Sequence, residues 1–306
     1  MTIYQKLWLL LSLCAVMACQ RSGQEIIVPD NDPVPYNGIP TIKVEFYVNR
    51  MFIDLLGREP IDAEMDAAVQ QLRAGELSEA VREQLIQDLQ TSQDFQPGDS
   101  ASYTVRYHYR IYEMSKVRLV EGLSDVPILT LIGQLNDAIK EDSIAGNFAA
   151  MNDKKAKRDR LRDIIESPER LRLGQTDVNT MVGRLINNQW YDQINMNSIN
   201  FIRSCFDNLF FRFPTQAEFD ASYPIIEHSQ SSAIFGLPAQ NKDEYVDILV
   251  NSREFHEGMI RWAYKSLLAR DATTEEVVAA MDDFYQTRDF LKVQRDIAKT
   301  DEYANF

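Results

Sequence analysis

Side chains able to do chemistry are few in this chain, and they lie far apart. The three histidines, His108, His228 and His256, are isolated in sequence. None forms the H-x-x-x-H or H-E-x-x-H spacing that seats two imidazoles on one helix face around a metal. Cys205 sits next to Phe206 on what reads as the apolar side of a helix. A thiol there packs as a small hydrophobe, whereas a nucleophilic thiolate needs an electropositive, accessible setting. The acidic pairs Glu275-Glu276 and Asp282-Asp283 are sequence neighbours on helices. They point in different directions and cannot share a substrate as two catalytic carboxylates do. Asp30 and Asp32 open like a calcium loop, but Val34 stands where the next ligand belongs and no bidentate glutamate follows. There is no G-x-S-x-G elbow, no phosphate-cradling glycine loop and no dinucleotide fingerprint. The expectation is a protein with no enzymatic activity, no metal and no cofactor.

Two clusters could bind rather than react. Tyr103, Tyr107, Tyr109 and Tyr112 crowd one stretch together with Arg106 and Arg110. One reading is an aromatic face for a glycan or peptide. The favoured reading is an amphipathic helix, with Val105, Tyr109 and Tyr112 inward and hydroxyls at the rim. The basic run Lys154 to Arg162 is interleaved with Asp159 and reads as a solvated helix face. With 46 acidic against 32 basic side chains the net charge is -14, which excludes a nucleic-acid partner that needs clustered cations to neutralise phosphate.

The elements that hold these residues are organised by a repeat. Tyr47–Met65, Phe201–Phe219 and Met259–Val277 share an aromatic (Phe52, Phe206, Tyr264), a large apolar pair, and an arginine (Arg58, Arg212, Arg270). Six residues beyond each arginine stands a glutamate: Glu64, Glu218 and Glu276. Each copy also ends alike, in Ser92–Phe95, Ser252–Phe255 and Thr300–Tyr303. Val48, Met51, Phe52, Leu55 and Leu56 fall at helical spacing, so one apolar stripe must face a partner. Gly57-Arg58-Glu59-Pro60 stops that helix. Thr215-x-x-Glu218 and Thr273-x-x-Glu276 are capping boxes that start the next one. The arginine is read as specifying the turn by pairing with its glutamate, and the closing Phe or Tyr as a core plug. The expected fold is all-α: stacked helical hairpins in three copies, with a degenerate fourth around Leu185–Tyr191.

The pattern Y/F-x-x-L-L-G-R-x-P-x-x-x-E with a later S-x-E-F resembles a small helical repeat of bacterial cell-surface and haemolysin-type secreted proteins. That repeat is known mainly as a domain of unknown function and is similar to phycobilisome linker domains. A weaker likeness joins Arg50–Asp99 to the helical domain accompanying cytochrome-type proteins of planctomycetes. Their C-x-x-C-H haem motif is absent here. The resemblance implies an all-helical module for surface assembly or protein contacts, with no catalytic residues to carry over.

The N-terminus gives the address. Lys6 precedes an apolar run from Leu7 to Ala18, too short to cross a bilayer core of about 30 Å. This is a secretory signal. Val16-Met17-Ala18-Cys19 resembles the lipobox of bacterial lipoproteins, although Met17 replaces the usual small residue. The resemblance implies cleavage before Cys19 and a diacylglycerol on its thiol, a membrane anchor. Gln20 in place of an aspartate favours the outer membrane. Pro29, Pro33, Pro35 and Pro40 then make a semi-rigid tether. The expected organisation is a signal peptide at 1–18, tether at 19–41, first repeat at 42–100, middle helical segment at 101–198, second repeat at 199–258 and third at 259–306. The expected function is a structural or protein-interaction component of a cell-envelope assembly; the alternatives are a surface lipoprotein that binds a glycan or peptide on the aromatic face, and a divergent hydrolase. Its partners would be the membrane, through the lipid, and an envelope protein.

Overall fold

The computed structural model describes residues 38–95 and 100–306. The signal segment, Cys19 and nearly all of the tether lie outside the described residues. Thr41–Phe306 is a compact unit. It is all-α apart from one small hairpin of strands. In chain order the helices are α1 (Thr41–Leu56), α2 (Asp62–Ala74), α3 (Glu79–Thr91), α4 (Tyr103–Leu119), α5 (Asp125–Ala145), α6 (Phe148–Ile165), α7 (Ser167–Arg172), α8 (Val178–Ile186), α9 (Gln189–Asn195), α10 (Ser198–Phe210) and α11 (Gln216–His228). Strands β1 (Ser232–Ile234) and β2 (Leu237–Ala239) follow, then α12 (Lys242–Val250), α13 (Arg253–Leu268), α14 (Thr274–Thr287), α15 (Phe290–Ala298) and α16 (Asp301–Ala304). No described helix is long and apolar enough to cross a membrane.

The apolar stripes become core. On α1, Val44, Tyr47, Val48, Met51, Phe52, Leu55 and Leu56 are all buried. On α10 the same holds for Phe201, Ile202, Cys205, Phe206, Leu209 and Phe210. Full burial of each large side chain contributes roughly 1.5–3 kcal/mol. The residue between each of these three helix ends and its arginine is left-handed: Gly57, Phe211 and Ala269 at φ +73°, +57° and +56°. That conformation breaks the helix and turns the arginine back toward the next one. β1 and β2 pair antiparallel around Phe235-Gly236, both at positive φ as a two-residue hairpin turn requires. Phe235 then lies against Phe206 and Phe210 at ring distances of 6.1 and 5.7 Å.

Helix α13 crosses α10 at Gly258, where a Cβ would stand 2.0 Å from the Leu209 carbonyl oxygen. Only glycine allows that approach. The last helix closes on the first. Tyr303 sets its ring edge-on to Tyr47 and donates its hydroxyl to Asp54 at 2.8 Å. Arg50 donates to the Tyr303 carbonyl, and Lys43 to that of Asn305.

Three sequence expectations change. The Ser252–Phe255 closure of the second copy is the first turn of α13, which also carries the head of the third. A boundary at 258/259 therefore falls inside one helix. In the first copy, Phe95 is 69% exposed and plugs nothing. Its role passes to Tyr107, fully buried on α4, where Thr104-x-x-Tyr107-His108 echoes Ser252-x-x-Phe255-His256. In both, the histidine Nδ1–H donates to the carbonyl four residues back, and its ring stands edge-on to the preceding aromatic. The suspected fourth copy keeps only a closing turn. Asn188 caps α9 and Tyr191 is buried, but no arginine in the described middle segment pairs with a glutamate six residues on.

Candidate functional site

The three repeat arginines form one contact three times. Arg58 grips Glu64 with both terminal nitrogens at 2.7 Å. Arg212 holds Glu218 at 2.8 and 2.7 Å, and Arg270 holds Glu276 at 2.9 and 2.7 Å. Each guanidinium also reaches the carbonyl of the following residue and lies over an aromatic ring, that of Phe52, Phe206 or Tyr264. In the second and third copies a further carboxylate from the closing turn, Glu254 or Glu302, completes the fork. The five N–H donors of Arg212 and of Arg270 are thereby all used, which leaves none for an anionic ligand. The arginine fork and the capping N–H groups hold Glu218 and Glu276 down to about 2. In the first copy burial pushes Glu64 upward, yet Arg58, the Ile61 N–H and the Tyr103 hydroxyl outweigh it and lower its pKa. Ile61 has no capping oxygen, so only the glutamate half of the box is present.

The four tyrosines do not form a face. Tyr107 and Tyr112 are fully buried, and Tyr103 packs edge-on to Phe52. Tyr107 donates to Gln294 at 2.6 Å, while Tyr109 and Tyr112 both donate to Asp125 at 3.0 Å. Asp125 also takes the buried Lys116 ammonium at 2.7 Å, and that ammonium bonds Glu113 as well. The rings tie α4 to α2, α15 and the start of α5, with Tyr107 inward where Tyr109 was expected. Of the four, only Tyr109 is substantially exposed. Two of the three histidines, His108 and His256, are buried, and His256 is enclosed by Phe284 and Tyr285 while Asn179 donates to its Nε2; His228 is exposed at the end of α11, edge-on to Tyr223. Burial pushes the Cys205 thiol up to about 12, far from a thiolate at neutral pH. No cluster of metal-ligating side chains occurs among the described residues.

What Asp125 anchors is the most unusual element. α5 and α6 form a long antiparallel hairpin, turned at Gly146 with φ +74° and latched by Lys154 on Asp142 at 2.5 Å. Of the 21 residues in α5, only Ile128 and Ile139 are buried. Val126, Leu129 and Ile144 are 67%, 52% and 80% exposed, and Phe148 at the tip 62%. At the base a groove of about 400 Å³ opens between Leu131, Leu135, Leu161 and Ile164 on one side and α9 and α12 on the other. Its polar rim is already paired, Arg160 with Asp243 and Lys242 with Asp192.

Of this hairpin only the basic run of α6, Lys154 to Arg162, stands out in the sequence, as a solvated helix face, and α5 does not. The signal was present in the aliphatic density of Val126-Pro-Ile-Leu-Thr-Leu-Ile, which exceeds what one buried stripe requires. Against family models, curated proteins and solved structures the chain finds no match.

Proposed function

We propose that the chain is a lipid-anchored structural component of a cell-envelope assembly, held at the outer membrane through Cys19 and making protein contacts with the α5–α6 hairpin. The observation that carries this reading is α5 itself: a helix rich in aliphatic side chains of which only two are buried. Helices with apolar residues around most of their circumference are ordinarily covered, and exposed apolar side chains paired at the base and at the tip of one hairpin mark points of contact. The address rests on the lipobox-like Val16–Cys19 and the Pro-rich segment after it. In this reading the chain performs no reaction, and its two buried histidines and Cys205 serve packing.

Cross-linking and affinity purification of the full chain from detergent-solubilised envelopes tests the contact. The wild-type chain should retain a protein partner, and the Ile144→Glu/Phe148→Glu variant should lose it. Recovery of the wild-type chain alone would sink the reading. For the anchor, labelled palmitate should enter the wild-type chain and not the Cys19→Ser variant.

A further inference from the structure

A groove of about 250 Å³ lies between α8, α12 and the end of α6, and we infer that it binds a small zwitterion, an α-amino acid with an aliphatic side chain. The inference is independent of the hairpin's contacts and of the lipid anchor.

The walls follow from helical spacing. Thr180, Gly183, Arg184 and Asn187 share one face of α8 and its C-terminal cap, and Asp243, Val246, Asp247 and Val250 share one face of α12. The two helices run antiparallel. Asn187 donates to Asp243 at 2.7 Å at one end, and Asn179 to the Val250 carbonyl at 2.8 Å at the other. Gly183 therefore faces the side chains of Val246 and Val250, and the three make an apolar floor. Arg160 of α6 closes one end by pairing with Asp243 at 2.7 Å.

Gly183 does not relieve a clash. A Cβ on it would stand 3.5 Å from Val246 and 3.6 Å from Val250, ordinary contact distances, so alanine would fit. Glycine is the poorest helix former after proline, and packing does not require it here. What its bare backbone supplies is depth over the two valines.

Two charges on opposite walls have no counter-charge among the described residues. Arg184 donates through Nη1 to the Asp163 carbonyl and the Ser167 hydroxyl, both at 3.2 Å, while its Nε and Nη2 make no hydrogen bond. The Asp163 carboxylate also lines the groove, but Arg170 holds it at 2.8 Å. Burial accordingly keeps the Arg184 pKa below its ordinary value. Across the groove, Asp247 accepts only the Asn251 amide, at 2.9 Å on Oδ1, and pairs with no cation. Arg184 and Asp247 do not reach each other.

A ligand carrying both charges matches these walls. A simple anion on Arg184 would meet Asp247 as a like charge, and a simple amine on Asp247 would meet Arg184 in the same way. The span also fits. Packed helices lie ~8–10 Å apart. A carboxylate and an ammonium on one carbon, with a charge-assisted hydrogen bond of ~2.8 Å at each end, cover a similar distance. The carboxylate takes the planar fork of Arg184, the ammonium takes Asp247 Oδ2, and the aliphatic side chain lies on the valine floor. A space of about 250 Å³ equals roughly eight waters at ~30 Å³ each, which is room for an amino acid of the size of leucine.

Equilibrium dialysis of the full chain in detergent against labelled L-leucine should give one saturable site per chain. In competition, isocaproate (leucine without its ammonium) and isoamylamine (leucine without its carboxylate) should bind roughly 10-fold to 100-fold more weakly. Phosphoethanolamine, a zwitterion with no aliphatic side chain, should also compete poorly. Arg184→Gln and Asp247→Asn should each weaken L-leucine binding by the same factor, and Gly183→Leu should abolish it by filling the floor. Asp247 is exposed, so changing it leaves the core intact. Asp247→Lys should lose L-leucine and gain isobutylmalonate, in which a second carboxylate replaces the ammonium. A gained ligand separates the charge match from a loss of folding. No binding of L-leucine up to ~10 mM would overturn the inference. So would equal affinity for any of the three analogues, or an Asp247→Asn chain that binds as tightly as the wild type.

Discussion

Arg212 shows how much one side chain can organise. Its Nε and both terminal nitrogens reach Glu218, Glu254 and the Phe213 carbonyl, and its plane covers Phe206. A turn residue, a cap residue and the first turn of a later helix are therefore fixed at one point. Lysine could not replace it, because a compact ammonium offers three donors and no planar fork. Charge-assisted hydrogen bonds contribute about 1.5–3 kcal/mol each when shielded, and less where, as here, the pair is up to a third exposed. Arg212→Lys should therefore cost about 1–2 kcal/mol, seen as a lower urea midpoint at unchanged slope. The Glu218 carboxyl, followed by NMR titration, should rise from about 2 toward its ordinary value. An unchanged midpoint would reduce the fork to surface decoration. The pairing was legible in the sequence because the six-residue interval recurs three times, twice with a capping threonine between. The third partner was not, since Glu254 and Glu302 lie 42 and 32 residues away, and only folding brings them in.

At the scale of elements, periodicity revealed which faces are buried but not what they approach. The stripes of α1 and α10 could be read directly, because apolar residues at helical spacing have one place to go. Gly258 could not, since its constraint is the backbone of another helix. The same limit explains Phe95, whose motif matched while the chain around it placed Tyr107 in the core instead. It also explains the tyrosines of α4, which alternate among four neighbours because a helix in the interior has neighbours on most sides. Gly258→Ala should destabilise by about 1–3 kcal/mol, as overpacking against rigid backbone does. Gly133→Ala, in the middle of an open α5, should stabilise by about 1 kcal/mol from helix propensity alone. Denaturant midpoints of the two variants should therefore move in opposite directions. Equal shifts would mean that α10 and α13 can slide apart freely, and that their crossing does not define the fold.

For the whole molecule the ionisable groups predict how the fold responds to acid. His108 and His256 are buried and neutral, and burial lowers both below their ordinary 6.5. The unfolded chain protonates them first as pH falls, so it gains protons that the native state refuses. Stability is accordingly full above about 6.5 and declines below it. The lowered glutamates act in the same direction at more acid pH. Glu218 and Glu276 contribute stability above their ordinary 4.5, which is lost as pH drops through about 2. Asp54 opposes them, because burial raises its pKa more than the Tyr303 hydroxyl and the nearby arginines lower it, and the native state takes up that proton more readily. One opposing carboxyl against several lowered ones leaves the decline intact. The unfolding free energy should therefore be flat from about pH 8 to 6.5, fall once through the histidine range, and fall again below about 4.5. Replacing His108 and His256 together by glutamine should remove the first fall and keep the second. A wild-type curve that stays level down to pH 5 would show that the two rings are not held neutral, and with them the matching closures of α4 and α13 would lose their common physical basis.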